Sequence, residues 1–276
     1  MSTSNNLREP SATRSRIGRT GCAVLALAAA LGLIRAAHAE GNGIEVPGFP
    51  QFFALGIGAG PRYAGADDNT WAIAPAGRLN FGERYASLEA NYLSINLLDH
   101  PNWRIGPAGI LRFGRSDAES GLSDISMSLD LGGFVAFETS SDDPRNRWRF
   151  AGGILQDVTG VHDGHVADVS IRRWLPAGRY GALGLGLATS WGSGQYMNTY
   201  FGVDATDAAL TGIGEFLPGA GWRDIRASIY FVQPVSTEWA VGAGLLYSRL
   251  IDDAASSPAT ESAGQLFFGI GVARAW

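Results

Sequence analysis

The stretch 265–276 alternates between large apolar residues and small or polar ones. Leu266, Phe268, Ile270, Val272 and Trp276 share one parity, and the opposite parity is mostly glycine and alanine. A period of two predicts a β-strand, because a helix would repeat its apolar positions every three or four residues. Small residues on one face suit a narrow lumen, and apolar residues on the other suit contact with lipid.

The same alternation recurs along most of the chain after residue 51, and several runs begin and end on an aromatic residue, as a strand crossing both membrane interfaces should. Eleven strands are evident, near residues 52–60, 71–82, 84–97, 102–115, 125–139, 146–157, 162–174, 181–191, 219–232, 237–250 and 262–276. Single-chain bacterial barrels have an even number of strands. The fold class predicted is therefore all-β, an antiparallel transmembrane β-barrel of about twelve strands, with ten as the alternative. A hidden strand would come from splitting 84–98 or from 195–203.

The connections between these runs alternate between short and long. Residues 99–102, 140–146, 176–181 and 233–238 are rich in turn formers and short enough to be periplasmic turns. Residues 116–123, 159–164, 192–218 and 252–262 should then form the outward loops.

The first 39 residues have the pattern of a cleaved secretory signal peptide. A basic region with four arginines precedes an apolar core, Cys22 to Ile34, and Ala37-His38-Ala39 forms a small-residue cleavage site. We expect a short leader over 40–51 and a barrel over 52–276, exported to the outer membrane of a Gram-negative cell. Cys22 is the single cysteine, so the mature chain can form no disulfide.

Composition narrows the range of partners. Only 17% of the residues are charged, no lysine occurs, and 38 glycines accompany 8 Trp, 8 Tyr and 13 Phe. Loss of the signal peptide removes five arginines and Glu9, which takes the formal net charge from −5 to −9. Such acidity excludes nucleic acid as a partner, because phosphate binding needs a basic surface.

Charged residues recur at the parity opposite to the apolar face, so their side chains should face the lumen. The candidates are Arg78, Arg104, Arg112, Asp130, Arg147, Arg149, Asp168, Arg172, Asp224 and Arg226. They could form a charged constriction that selects solutes. Alternatively, they pair with one another and hold a sealed lumen, which a barrel of this intermediate size permits.

The segment 195–203, QYMNTYFGV, is rich in aromatic residues for a connection. Tyr196, Met197, Tyr200 and Phe201 are candidates for a contact loop or a lumen plug. The alternative is a strand extension whose aromatic side chains belong to the outer girdle.

The cluster His162-Asp163-Gly164-His165 with Asp168 is the densest group of chemistry-bearing residues. It could hold a metal or a His–Asp base. Alternatively, Asp163-Gly164 is a tight turn in an outward loop with two exposed histidines, since such turns favour Asp-Gly. No Gly-x-Ser-x-Gly elbow occurs. We predict no catalytic residue, no metal site and no cofactor.

Seven stretches, in order along the mature chain, resemble the MipA/OmpV family of outer-membrane proteins, also called MltA-interacting proteins. They are GPRYAGADD (60–68), SINLLDHPNWRIGPAGILRFGR (94–115), LGGFVAFE (131–138), LQDVTGVHDGHVADVSI (155–171), QYMNTYFGV (195–203), GAGWRDI (219–225) and YSRLIDDAASSP (247–258). The resemblance implies an outer-membrane barrel. The founding member is described as a scaffold that joins a murein lytic transglycosylase to a class A penicillin-binding protein, and other members as porin-like or adhesive.

The function predicted is thus a non-enzymatic envelope scaffold, with a narrow solute channel as the alternative and a surface hydrolase using residues 162–168 as a third hypothesis. The expected partners are outer-membrane lipid, the two murein enzymes and the barrel assembly machinery. Phe268, Ile270, Val272 and Trp276 form the expected terminal assembly signal.

Overall fold

Twelve antiparallel strands form a closed barrel in the computed structural model, which describes residues 51–116, 121–139 and 141–276. The predicted signal peptide, 1–39, and the predicted leader up to residue 50 lie outside these residues. The strands are β1 (Phe52–Pro61), β2 (Asn69–Phe81), β3 (Arg84–Glu89), β4 (Tyr92–Asn96), β5 (Trp103–Arg112), β6 (Ser128–Glu138), β7 (Arg147–Asp157), β8 (His165–Ala177), β9 (Gly181–Gly192), β10 (Gly221–Pro234), β11 (Trp239–Leu250) and β12 (Gly264–Ala275).

Each strand pairs with its neighbours in the chain, and the first pairs with the last. Phe52 lies opposite Ala275, and Ala59 lies opposite Phe268, so β1 and β12 close the sheet along most of their length. Closure gives every strand a partner on both sides, which a β-structure in hydrocarbon requires because no water is present to bond the backbone. The predicted fold class is confirmed.

The two faces of the wall differ as the alternation predicts. Leu266, Phe268, Ile270, Val272 and Trp276 are all exposed on the outer face of the last strand and its end. Phe267, Ala273 and Ala275 of the same strand are buried towards the interior. The exposed apolar side chains form the band that contacts lipid. Recognition of this strand by the assembly machinery stays a prediction.

The twelfth strand, which the alternation did not show directly, comes from the run 84–98, the first of the two predicted positions. The long run 84–98 splits into β3 and β4, which meet in a tight turn at Ala90, where φ is +54°. Because β3 pairs with residues 76–81 of β2, the part of β2 from residue 69 to 74 extends beyond the hairpin. The barrel wall is therefore shorter along the barrel axis at β3 and β4. Residues 195–203 do not form a strand.

Among the described residues, three helices lie in two of the connections. α1 (Gly194–Phe201) and α2 (Ala205–Thr211) occupy the connection between β9 and β10, and α3 (Asp252–Ser256) follows β11. Asp204 caps α2 by accepting hydrogen bonds from the backbone N–H groups of Thr206 and Asp207, both at 2.8 Å. Within the described residues, no helix has the length and apolar character needed to cross a membrane.

The connections fall into two rims. The connections at one end of the barrel are mostly short turns, and they define the short-turn rim, residues 82–83, 97–102, 139 with 141–146, 178–180 and 235–238. Mostly longer segments lie at the other end and define the long-loop rim, residues 62–68, 113–116 with 121–127, 158–164, 193–220 and 251–263. This grouping agrees with the two sets of connections predicted from the sequence.

Gly106 tests how closely β4 and β5 approach each other. A Cβ atom at this position would overlap the carbonyl oxygen of Ile95. This oxygen belongs to the backbone of a paired strand, so it cannot move aside as the end of a flexible side chain could. We expect Gly106→Ala to destabilise the folded barrel by about 1–3 kcal/mol, the usual range for overpacking. The midpoint of urea unfolding in detergent measures this change.

Gly214→Ala is the matched control, because a Cβ at Gly214 would meet no atom within 4 Å. Equal stability of Gly106→Ala and the unmodified protein would contradict the close approach of the two strands.

Candidate functional site

The ten predicted lumen-facing residues all occupy strand positions on the inner face of the wall. Arg104, Arg112, Asp130, Arg172, Asp224 and Arg226 are buried, while Arg78, Arg147, Arg149 and Asp168 are partly buried. Most of them belong to clusters in which each carboxylate contacts at least one guanidinium. The barrel interior is thus a network of ion pairs, and this network is the candidate functional site.

A β-bulge in β10 adds a further arginine to the interior. Trp222 pairs with Trp191 and Asp224 with Ser190, so Arg223 is an extra residue without a position of its own in the ladder. Arg223 and Asp224 are consequently both buried, although consecutive residues of a regular strand point to opposite faces. Strict alternation assigns Arg223 to the lipid side, so this arginine is absent from the predicted lumen-facing residues.

A signal for this bulge was present in the sequence. An arginine on the lipid face of a barrel costs about 2–4 kcal/mol when it lies near the middle of the bilayer. Arg223-Asp224, two adjacent charged residues in an otherwise alternating strand, is therefore a possible sequence signal of the register shift, although Arg172-Arg173 in β8 shows that adjacent charges also occur in a regular strand.

Asp224 is the centre of the first cluster. Its Oδ2 accepts a hydrogen bond of 2.7 Å from Nε of Arg223, and its Oδ1 lies 3.3 Å from Nε of Arg226. The hydroxyl oxygen of Ser190 accepts from Arg223 at 3.1 Å and from Arg226 at 2.8 Å. Arg226 also pairs with Asp168. Two guanidinium groups thus share two carboxylates and one hydroxyl, and of these groups only Asp168, whose side chain is 34% exposed, is accessible to solvent.

Asp130 is the centre of the second cluster. Its Oδ2 accepts from Nε of Arg112 at 2.6 Å, and its Oδ1 lies 3.1 Å from both Oγ of Ser128 and Nε2 of His162. The backbone N–H of Gly164 donates to Nδ1 of His162 at 3.1 Å, so Nδ1 is the unprotonated nitrogen. Nε2 therefore carries a proton and donates it to Asp130.

The histidine cluster does not have the predicted surface position. His162 is buried, and its ring packs edge-on against Tyr196 with 5.2 Å between centroids. His165, at the start of β8, lies on the opposite face of the wall beside Trp191, 5.7 Å away. The interpretation as two exposed histidines is thus wrong for His162, because both of its ring nitrogens are hydrogen-bonded inside the barrel, to Asp130 and to Gly164.

Asp130, Asp157 and His162 are close enough to bring three potential metal ligands within 4.8 Å of one another. Their atoms are already hydrogen-bonded. Asp157 accepts from the backbone N–H groups of Thr159 and His162, both at 2.7 Å, and from Asp163 at 3.0 Å. Nε2 of His162 is a donor, so it has no lone pair for a cation. The donor set fits a loop held in place and does not fit a metal ion.

Helix α1 enters the lumen at the long-loop rim and packs against both clusters. Ser193 caps it, and Oγ of this residue also accepts from the backbone N–H of His165 at 3.0 Å. The phenol oxygen of Tyr196 accepts a 2.7 Å hydrogen bond from Nη1 of Arg223. The helix therefore links the β10 bulge to the His162 loop. We refer to α1 as the plug.

The four aromatic and methionine candidates belong to this plug. Tyr196, Met197, Tyr200 and Phe201 are between 0% and 5% exposed, so they cannot form a contact loop at the surface. The strand-extension alternative is also wrong, because the residues are helical and their side chains point inwards. They pack with Val166 and Leu250 in one buried cluster. The position of these four side chains inside the barrel is that of a lumen plug.

The loops at the long-loop rim are tied together above the plug. The phenol of Tyr63 donates to Glu261 at 3.0 Å, and burial together with this hydrogen bond raises the pKa of Tyr63 to about 12. The guanidinium of Arg115 lies 5.9 Å from the Tyr63 ring, and burial lowers the pKa of this arginine. Oγ of Ser123 donates to Asp207 of α2 at 2.6 Å. These contacts join the loops of the long-loop rim to one another and to α2.

A cavity of about 70 Å³ lies in the lumen, with room for roughly five water molecules. Its wall has an apolar part, with Ile110, Phe134 and Leu155, and a charged part of both signs, with Arg112, Arg149, Arg172, Glu89 and Asp168. Towards the short-turn rim, Glu138 is buried between Arg149 and Arg104, with 3.4 Å from its Oε2 to Nε of Arg104.

The arrangement favours structural roles over catalysis. To activate a nucleophile, His162 would need a free ring nitrogen that accepts a hydrogen bond from a hydroxyl group. Both ring nitrogens are already hydrogen-bonded, one to Gly164 and one to Asp130. The His162 side chain is also inaccessible to solvent. The hydrolase hypothesis therefore gains no support from the described part of the chain.

Comparison with known proteins gives a family match. A family model described as MltA-interacting protein MipA matches residues 53–276. No curated protein matches the chain.

Among solved structures, the NanC porin is similar over 82% of this chain and 100% of its own, with 10% identity and a TM-score of 0.43. An outer-membrane channel from Pseudomonas putida F1 is similar over 87% of this chain and 100% of its own, with 10% identity and a TM-score of 0.43. A loop-deletion mutant of OmpT, an outer-membrane protein of Vibrio cholerae, has 11% identity and a TM-score of 0.36 over 74% of this chain, which spans 59% of the OmpT chain.

Asp224 should be among the residues that matter most for stability. In Asp224→Asn, two buried arginines lose a counter-charge, and removal of one partner from a buried pair costs about 3–5 kcal/mol. We expect a loss of this size in the free energy of unfolding, measured by urea titration in detergent.

The control for this measurement is Glu238→Gln. Glu238 pairs with Arg274 at 3.4 Å, but both side chains are more than half exposed, 57% and 59%. Exposed pairs contribute about 1 kcal/mol or less. If both variants lost the same small amount, the lumen network would not be the stabilising element.

Proposed function

The chain belongs to the MltA-interacting protein MipA family, and from this premise we propose that it is a non-enzymatic outer-membrane scaffold. Its partners are a murein lytic transglycosylase and a class A penicillin-binding protein. The observation that carries the proposal is the family match over residues 53–276.

The short-turn rim supports this proposal, because short turns of outer-membrane barrels face the periplasm, where murein is processed. Arg145 joins two of these turns. It pairs with Asp143 at 2.7 Å and donates to the backbone oxygens of Arg179 and Gly181, each at 3.1 Å. The hydrogen bonds from Arg145 hold the pKa of Asp143 below its usual range. The two turns therefore form a preorganised surface, which lowers the entropic cost of binding a partner.

Exposed apolar side chains on the same rim provide this surface with apolar contact area for a partner. Tyr180 is 57% exposed and Val235 is 62% exposed. Tyrosine in particular is common among the residues that dominate binding energy at protein interfaces. We propose that Tyr180 and Val235 contact the murein enzymes.

Affinity capture from crosslinked cells tests the scaffold. With a tag at Glu40, we expect a lytic transglycosylase and a penicillin-binding protein to co-purify, and Tyr180→Ala with Val235→Ala to reduce their recovery. Leu210→Ala with Leu217→Ala is the matched control, since both leucines are exposed at the opposite rim. Recovery of the barrel alone, or equal loss in both double variants, would contradict the proposal.

A narrow solute channel is the second candidate, and the charged inner face of the wall favours it. Passage would require the plug to leave the lumen. We expect the unmodified protein to show no sustained conductance in planar bilayers, because Tyr196 and Phe201 are buried inside the barrel.

Tyr196→Ala with Phe201→Ala removes two plug side chains and should produce resolvable conductance steps. Leu210→Ala, on the exposed surface of α2, is the control and should show no conductance. Steady conductance of the unmodified protein would shift the function from scaffold to channel.

A further inference from the structure

We propose that the barrel wall has a lateral entrance between β2 and β5, through which a single-chain amphiphile with an uncharged hydroxyl head passes from the bilayer into the lumen. This entrance does not depend on the scaffold function, because it involves the wall and the lumen and no residue of the short-turn rim. Three observations carry it: a gap in strand pairing, the exposure of the inner face beside the gap, and the position of the lumen cavity.

The gap in strand pairing lies on the long-loop side of the β3–β4 hairpin. β2 pairs with β3 from Phe81 up to Ala76 and no further, although β2 itself continues to Asn69. Likewise, β4 pairs with β5 only up to Ile110. Within the described part of the chain, residues 69–74 therefore have β1 on one side and no strand on the other. We call this gap between β2 and β5 the notch.

The notch is large enough for an acyl chain. The hairpin places two strands between β2 and β5, so β2 and β5 are about 14 Å apart at the hairpin tip, at about 4.8 Å for each strand spacing. Residues 69–74 give the notch a height of about 20 Å, at about 3.3 Å per residue. At the top, the guanidinium of Arg115 lies 5.9 Å from the Tyr63 ring and joins the two sides. An extended hydrocarbon chain fits between these limits.

The β2 edge of the notch carries backbone groups without a strand partner. The backbone oxygen of Pro75 accepts a 2.8 Å hydrogen bond from the N–H of Ala90, so the backbone groups of Pro75 point towards the hairpin. In an antiparallel strand, the backbone groups of every second residue point to the same side. Those of Ile73 and Trp71 therefore point into the notch. Unpaired backbone is tolerated at membrane depth where it lines a cavity, which favours a notch that opens into the lumen.

The inner face of β2 is more exposed beside the notch than below it. Ala72, Ala74 and Ala76 share the inward parity, but Ala76, level with the hairpin, is 4% exposed, whereas Ala72 and Ala74 are partly exposed. On the outer face, Trp71 and Ile73 are 63% and 44% exposed, so lipid-facing side chains flank the notch. Because the long loops of outer-membrane barrels face the cell exterior, the neighbouring lipid is that of the outer leaflet.

The lumen cavity begins at the hairpin tip, on the inner side of the notch. Glu89 and Tyr92, on either side of the tip, line this cavity, and so does Ile110, where the pairing of β4 with β5 ends. The volume of about 70 Å³ is too small for an acyl chain but accommodates a small head group. An amphiphile at the entrance therefore has its head in the cavity and its chain in the notch.

The charges of the cavity wall favour an uncharged head. Carboxylates and guanidinium groups both line the cavity. Arg112 is paired with Asp130, and Arg149 is paired with Glu138. A charged head would enter a low-dielectric site without a counter-charge of its own, which is unfavourable.

The side chain of Asn91, at the hairpin tip, favours a head that donates a hydrogen bond. Its Nδ2 donates to the backbone oxygen of Leu111 at 2.9 Å, which fixes the orientation of the amide. Its Oδ1 is buried and accepts no hydrogen bond from any described residue. Buried acceptors are normally satisfied, and a hydroxyl group that passes the tip supplies the missing donor.

Thiol accessibility in reconstituted bilayers tests the lateral opening. Cys22, the single cysteine of the chain, lies in the predicted signal peptide, so an introduced cysteine is the one thiol of the mature barrel. We expect Ala74→Cys, on the inner face beside the notch, to react with a long-chain alkyl maleimide that partitions into the bilayer. Ile73→Cys, on the lipid face, should also react and gives the reference rate.

Ala136→Cys is the matched control for this measurement. Ala136 also lies on the inner face, but it is 1% exposed and belongs to β6, which is paired on both sides. It should not react. Heat-modifiable migration in an SDS gel shows that each variant is folded. The proposal fails if Ala74→Cys is as unreactive as Ala136→Cys, or if it reacts only with a water-soluble thiol reagent.

Photocrosslinking in the same bilayers tests the class of ligand. The probe is a long-chain primary alcohol with a diazirine next to the hydroxyl end. We expect adducts on residues of the cavity wall, including Glu89 and Tyr92, located by mass spectrometry of the digested barrel. The corresponding alkane and the fatty acid of equal length should each give about threefold fewer of these adducts or less, because the alkane cannot donate to Asn91 and the fatty acid is charged.

Ala74→Trp should block the entrance and remove the adducts of the alcohol probe, because an indole at this position fills the inner side of the notch. Ala243→Trp is the matched control, since Ala243 is exposed on the lipid face of β11, which is paired on both sides. It should keep the adducts. Adducts confined to outer-face residues, equal labelling by the alkane, or unchanged labelling of Ala74→Trp would overturn the proposal.

Discussion

The need to satisfy every backbone N–H and C=O without water is the constraint on which the rest of this structure depends. In hydrocarbon, a sheet meets it by closing on itself, and β1 and β12 complete the circle here. Closure fixes the side-chain parity of every strand, because successive residues must face lipid and lumen in turn. Apolar residues are stable on the first side, so the charges that the chain retains in its strands collect on the second.

A closed lumen of this width obliges those charges to find partners within it. Asp130 and Asp224 each bind more than one donor, and the plug uses the same network as its anchor, through Tyr196 on Arg223 and the His162 ring. The interior is consequently committed to holding the barrel shut around a small residual space. Outside the wall and the lumen are the two rims, where the backbone of the loops and turns is solvated.

The sequence was sufficient for what depends on the period of two, and insufficient where a local feature interrupts it. The strands, their inner and outer faces and the split of 84–98 follow from alternation and from the even strand number. Arg223 was missed because one extra residue in β10 reverses the parity. The segment 195–203 was ambiguous because its apolar positions suit either a helix or a strand, and the cap at Ser193 with packing inside the barrel decides for the helix. The burial of His162 depends on contacts with Asp130, 32 residues away, which no local pattern contains.

The short β3–β4 hairpin has a consequence for the membrane around the protein. β4 has five residues and spans about 17 Å, whereas β10 has fourteen and spans about 46 Å, at 3.3 Å per residue. An apolar band of roughly 25 Å is matched by the longer strand and not by the shorter one, even before tilt. Lipid beside β4 must therefore thin or reorient to avoid hydrophobic mismatch, while lipid beside β10 need not. The barrel thus differs around its circumference. A protein that approaches it in the bilayer plane meets deformed lipid beside β4 and undeformed lipid beside β10.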